Sequence, residues 1–128
     1  MPAKKPPNRE RPPLVKASEQ MKAWAAALAA EMEAWPHVTT KAMFGMTGIY
    51  CKNKIFAALP RTRAFGSTTS VAFKVEGSGE KLLTKLKKDP HVTDTIMRTT
   101  RWLTYELESD EDLRSALNWL NKAYELAK

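Results

Sequence analysis

Between Lys41 and Leu59 the chain reads KAMFGMTGIYCKNKIFAAL, and no other stretch restricts the fold as strongly. Val38, Thr40, Ala42 and Phe44 alternate with Thr39, Lys41 and Met43, the period of two that a strand requires. Gly45 and Gly48 bracket Met46-Thr47 and predict a turn there. Ile49-Tyr50-Cys51 is a second short strand. In Lys52-Asn53-Lys54, Asn53 tolerates positive φ and suits a two-residue hairpin turn. Lys54 to Leu59 makes a third strand. Connections this short admit only an antiparallel meander.

The flanks add helices. Ser18 is an N-cap for a helix running to about Trp35, because Met21, Trp24, Ala25, Leu28, Met32 and Trp35 form one helical stripe. Pro36 ends it. Pro60 to Thr69 is polar and reads as a loop. Ser70 to Val75 alternates again, with Val71, Phe73 and Val75 on one face. Ser78 can cap a helix over residues 79–88, whose apolar side is Leu82, Leu83 and Leu86. Residues 91–100 suit one helical turn around Val92, Ile96 and Met97, although their threonines oppose a longer helix. Arg101 to Leu107 is a fifth strand with Leu103, Tyr105 and Leu107 inward and Trp102 on the other face. Ser109 and Asp112 suggest a capping box for a last helix striped by Leu113, Ala116, Leu117, Leu120, Tyr124 and Ala127. The expected fold is α+β: two layers, an antiparallel sheet of about five strands, helices at both ends and one between strands.

Charge is unevenly spread. Of the net +7, residues 1–16 carry +4 and residues 17–128 carry +3. The first 16 residues also hold five prolines and little to bury, so they read as a disordered or partly polyproline II tail preceding a single domain over 17–128. A basic tail attracts nucleic acid or acidic partners, and a solvated arm is the simpler account. No apolar run approaches the roughly 20 residues that span a bilayer, so no membrane partner is expected. One cysteine, Cys51, permits no intrachain disulfide, and a reducing cytoplasm is the expected compartment.

The motif Met43-Phe44-Gly45, then Gly48-Ile49-Tyr50, then Lys54-Ile55-Phe56-Ala57 resembles the TfoX N-terminal domain family. It is more distantly similar to YjbR-type domains. Val71 to Val75, Trp102 to Leu107, and Asp112, Leu113, Trp119 and Ala123 fit the later elements of that pattern, so the resemblance covers about Met32 to Ala127. Met46 stands where the family carries a second glycine, and the arginine-rich stretch from Pro60 to Ser70 is longer than the pattern. The resemblance implies a secretion-chaperone-like α+β domain with no characterised catalytic residue. It also implies a regulatory role.

The hallmark residues Met43, Phe44, Gly45, Gly48, Tyr50 and Phe56 have a structural reading, in which Met43 and Phe44 pack under the helices, and a functional one, a groove beside the hairpin. Lys41, Lys52, Lys54, Arg61, Arg63 and Lys74 fall on segments the meander brings together, with Tyr50 among them. They are candidate contacts for nucleic acid or a protein partner. A solvated lysine face is the plainer account. His37, His91 and Cys51 show no zinc spacing, and Cys51 beside Ile49 reads as a small buried hydrophobe rather than a nucleophile. No metal, cofactor or catalytic residue is expected. The functional expectation is a non-enzymatic domain working through protein contacts or self-association. The alternative is a nucleic-acid-binding module.

Overall fold

The computed structural model describes residues 14–65, 68–75, 80–93 and 102–128. Its elements are β1 (Leu14–Lys16), α1 (Glu19–Met32), β2 (Val38–Met43), β3 (Met46–Cys51), β4 (Lys54–Pro60), β5 (Arg63–Phe65), β6 (Ser70–Lys74), α2 (Glu80–Lys88), β7 (Val92–Thr93), β8 (Trp102–Glu106) and α3 (Asp112–Ala127). Six strands form one antiparallel sheet in the order β2-β3-β4-β6-β8-β7, and β1 pairs with β5 in a separate ribbon. This is the expected α+β architecture with helices at both ends. The two-residue β7 adds a sixth strand. Among the described residues no helix is long and apolar enough to cross a membrane.

Both central turns are two-residue hairpins. Phe44 and Gly45 have φ of 50° and 78°, and Lys52 and Asn53 have φ of 51° and 72°, the double positive φ of a type I′ turn. The first turn therefore lies two residues earlier than the glycine bracket suggested. Met46, Thr47 and Gly48 belong to β3, where they pair with Met43, Ala42 and Lys41. The β3–β4 ladder shifts register between Ile49 and Tyr50: Ile49 faces Ala57 and Tyr50 faces Ile55. Phe56 is the extra residue of this bulge. It joins Ala57 in the helix-side core, while Ile55 and Ala58 serve the opposite face.

That core is sealed by α1, which buries Met21, Trp24, Ala25, Leu28 and Met32, and by α3, which buries Ala116, Leu120, Ala123 and Tyr124. They lie over Ile49, Cys51, Leu59, Val71, Phe73, Leu103 and Tyr105. Ser18 caps α1 by accepting the Met21 N–H at 3.0 Å. Aromatic polar tips fasten the layers. Trp24 donates to Asp110 at 2.7 Å, Trp119 to Asp89 at 2.8 Å, and the Tyr124 hydroxyl to the Pro36 carbonyl at 2.9 Å.

Several local expectations are corrected. Residues 14–16, assigned to the tail, form β1, and the loop from Pro60 contains β5; each is the other's pairing partner. The rest of the tail, residues 1–13, lies outside the described residues, as do the Ser78 cap and residues 94–100. Val92 and Thr93 form a strand rather than a helical turn, because β8 offers them Tyr105 and Thr104 as partners. At α3 only half the capping box is made: Asp112 accepts the Ser109 N–H at 3.1 Å and the Glu108 N–H at 2.7 Å, and no side chain caps the helix N–H groups.

Candidate functional site

Met43 and Phe44 do not pack under the helices. Strand parity puts Met43 on the opposite sheet face, against a second small cluster of Met46, Ala58, Ala72 and Trp102. Phe44 sits in the turn with 70% of its surface exposed, the one exposed large hydrophobic among the described residues. Its position follows from the I′ geometry, which swings both turn residues off the sheet. Phe56, in contrast, is 1% exposed and meets Tyr124 edge-on at 5.6 Å.

Gly45 is a junction. Its carbonyl accepts the N–H groups of Arg61, Thr62 and Arg63 at 3.2, 2.8 and 3.0 Å. The turn after β2 is thereby joined to the segment between β4 and β5, and Arg61 and Arg63 are exposed beside it. At the other end of β2, the Lys52 N–H donates to the His37 carbonyl at 3.2 Å. Lys41 lies between them with its Nζ 5.5 Å from the Tyr50 ring centre, a cation–π contact.

The six candidate cations are thus divided. Arg61 and Arg63 stand at the Gly45 end of β4. Lys52 and Lys54 stand at the Asn53 end, about 20 Å away at 3.3 Å per residue. Lys74 is half-buried opposite Trp102. The centre of the face shared by Lys41, Tyr50 and Lys74 is closed to solvent, since Ala58, Ala72, Ser70 and Trp102 are all buried. What remains open is the β2 side. No Asp or Glu occurs between Glu33 and Glu76, so every charged side chain of β2 to β6 is a cation.

A second polar cluster was not legible in the sequence. His91 faces Asp89, Asp112 and Glu108 at 3.5, 3.6 and 3.7 Å and stacks on Tyr105 at 5.2 Å. His91, Glu108 and Asp112 offer three ligand atoms within 4.8 Å of one another, although the histidines showed no metal spacing. The antiparallel return of β7 on β8 is what brings residues 91 and 108–112 together. Asp112 already accepts two backbone N–H groups, and Asp89 accepts Trp119 and the His91 N–H. These bonds make the cluster a clasp between β7, β8 and α3.

The clasp raises the Tyr105 pKa, first through burial of the phenol and then through the nearby charges of Asp89, Asp112 and Glu108, against a lowering bond from Ser115. A raised phenol pKa means the unfolded chain ionises first. The contribution of Tyr105 is intact below the unfolded value of about 10 and is lost as pH climbs from there through the folded value. Urea unfolding across that window is expected to show a fall in stability that Tyr105→Phe reduces. An identical alkaline fall in the variant would overturn this.

No protein-family model, curated protein or solved structure matches the chain. The functional reading therefore rests on the β2 side of the sheet and on the hairpin residues themselves.

Proposed function

We propose that this chain is a non-enzymatic protein-contact module of the TfoX N-terminal type, acting in the cytoplasm, and that β2 with its Phe44 tip is its contact surface. The observation that carries the reading is the state of the β2 edge. Among the described residues β2 has one neighbour, β3, and pairs with it over six consecutive residues without a bulge. It holds no proline, and Thr39, Thr40, Lys41 and Ala42 are exposed. Native sheets blunt such edges with prolines, bulges, short strands or charged side chains, lysine above all; of these devices β2 carries Lys41 alone. A long, regular edge ending in an exposed phenylalanine suits a strand-adding partner with an aromatic anchor.

Nucleic acid is the second reading, favoured by Lys41 seated over Tyr50. A photo-crosslinking residue placed at Thr40 or at Phe44 separates the two in cells. Protein adducts at both positions, and none at the exposed Lys122 of α3, are expected. Adducts to nucleic acid, or equal adducts at Lys122, would count against the module. Phe44→Ala is expected to change stability by less than about 0.5 kcal/mol while weakening capture at Thr40. Unaltered capture would remove Phe44 from the surface.

A further inference from the structure

The geometry points to an acidic, extended polypeptide segment as the occupant of the β2 edge, added as a seventh strand with apolar side chains at alternate positions. This rests on the protein-contact reading and narrows the partner's chemistry.

Charge is the first argument. β2 is ringed by cations along its length: Lys52 where it begins, Lys41 within it, and Arg61 and Arg63 at the Gly45 turn where it ends. The sequence holds no carboxylate between Glu33 and Glu76, so β2 to β6 contribute none to offset them. A strand laid about 4.8 Å from β2 runs past all three positions, so acidic side chains on it meet opposite charge at each. A second copy of this chain would bring the same cations against themselves, and like charges across an interface are strongly disfavoured.

The second argument is shape. α1 stops short of β2, leaving Thr40 and Ala42 exposed on the helix side of the sheet. Thr47, the register partner of Ala42, lines a cavity of about 340 Å³ with Lys22, Ala25 and Ala29 of α1, Leu59 and Arg61, one strand in from the β2 edge. Strand addition draws affinity from the main-chain ladder and specificity from pockets that take alternate side chains. Here one parity of the added strand lies alongside Thr40 and Ala42, small exposed side chains that leave room for apolar groups. The other parity faces Lys41. The favoured sequence therefore alternates acidic and apolar residues.

The test is fluorescence anisotropy on the full chain with a labelled peptide alternating glutamate and valine. Its comparators are a glutamine-for-glutamate peptide, the two peptides N-methylated at one or the other set of alternate residues, and a single-stranded DNA oligomer. Saturable binding is expected, weakened at least about tenfold by Lys41→Glu and by the glutamine peptide. One N-methylation frame should abolish binding and the other spare it, because an edge ladder uses alternate amides. Equal binding of the glutamine peptide would overturn the acidic class and leave the edge reading standing. Survival of both N-methylated frames would overturn strand addition, and so would DNA binding as tight as the peptide's with the same loss in Lys41→Glu. Absence of peptide binding would overturn this proposal, while crosslinks at Thr40 and Phe44 would still support the module.

Discussion

Phe56→Ala is expected to lower stability by about 3–5 kcal/mol, a large fraction of the roughly 5–15 kcal/mol that holds a domain of this size folded. Phe56 is fully buried and is the extra residue of the β4 bulge. The bulge turns its ring toward α3, against Tyr124, which itself meets Trp35 at 5.0 Å and donates to Pro36. Truncation leaves a hole where α3, β4 and the end of α1 meet. The strand cannot easily close the gap, because Ile55 and Ala58 on either side are held by packing on the opposite face. Urea titration followed by tryptophan fluorescence gives the midpoint directly. A loss as small as that expected for Phe44→Ala would show that the bulge is not anchored by this ring. Two phenylalanines twelve residues apart in one motif thus have opposite assignments.

Gly45→Ala is expected to cost about 1–3 kcal/mol. At φ 78° an L side chain is strained, and an added Cβ would lie 2.7 Å from Arg63 Cγ and 2.8 Å from Thr62 Oγ1. The displaced segment is one that matters: Thr62 accepts the Ala17 N–H, and Arg63 pairs with Lys16 in the β1–β5 ribbon. Gly48 is the internal control. Its backbone is not in the positive-φ region, and an added Cβ would approach Tyr50, Met43 and Ile55 side-chain atoms at 3.0–3.3 Å. These side chains can shift. Thermal melts of both variants should show the larger drop for Gly45→Ala, and the reverse order would contradict the junction role given to Gly45.

The repetitive parts of this fold were legible because periodicity reports burial directly. The α1 stripe, the β6 alternation and the inward set Leu103, Tyr105 and Leu107 all reflect which side chains leave water. What local pattern could not reveal was set by distant partners. Arg63–Phe65 is polar at its start and became a strand only because Leu14–Lys16 lies beside it. Val92–Thr93 is too short to show a period and is defined by β8. The first hairpin turn lies two residues before Met46-Thr47 because two glycines compete for the turn, and only Gly45 adopts positive φ. At the candidate site the cations were identified but not their division between two ends of a hairpin, which depends on the length and register of β4. Strand alternation alone places Phe44 in the core, yet the type I′ turn ends the alternation at Met43. The His91 cluster has no spacing signal because, apart from Asp89, its carboxylate partners lie 17 and 21 positions away.

The account depends most on the β2 edge, and amide hydrogen exchange over Val38–Met43 tests it most directly. The full chain is measured alone and with saturating glutamate–valine peptide. Amides facing β3 should already exchange slowly, and the alternate amides facing away from it should exchange quickly in the free chain. Slowing of those outward amides when peptide is present is the expected result. Unchanged exchange along β2, with protection arising instead on α2 or elsewhere in the chain, would contradict it.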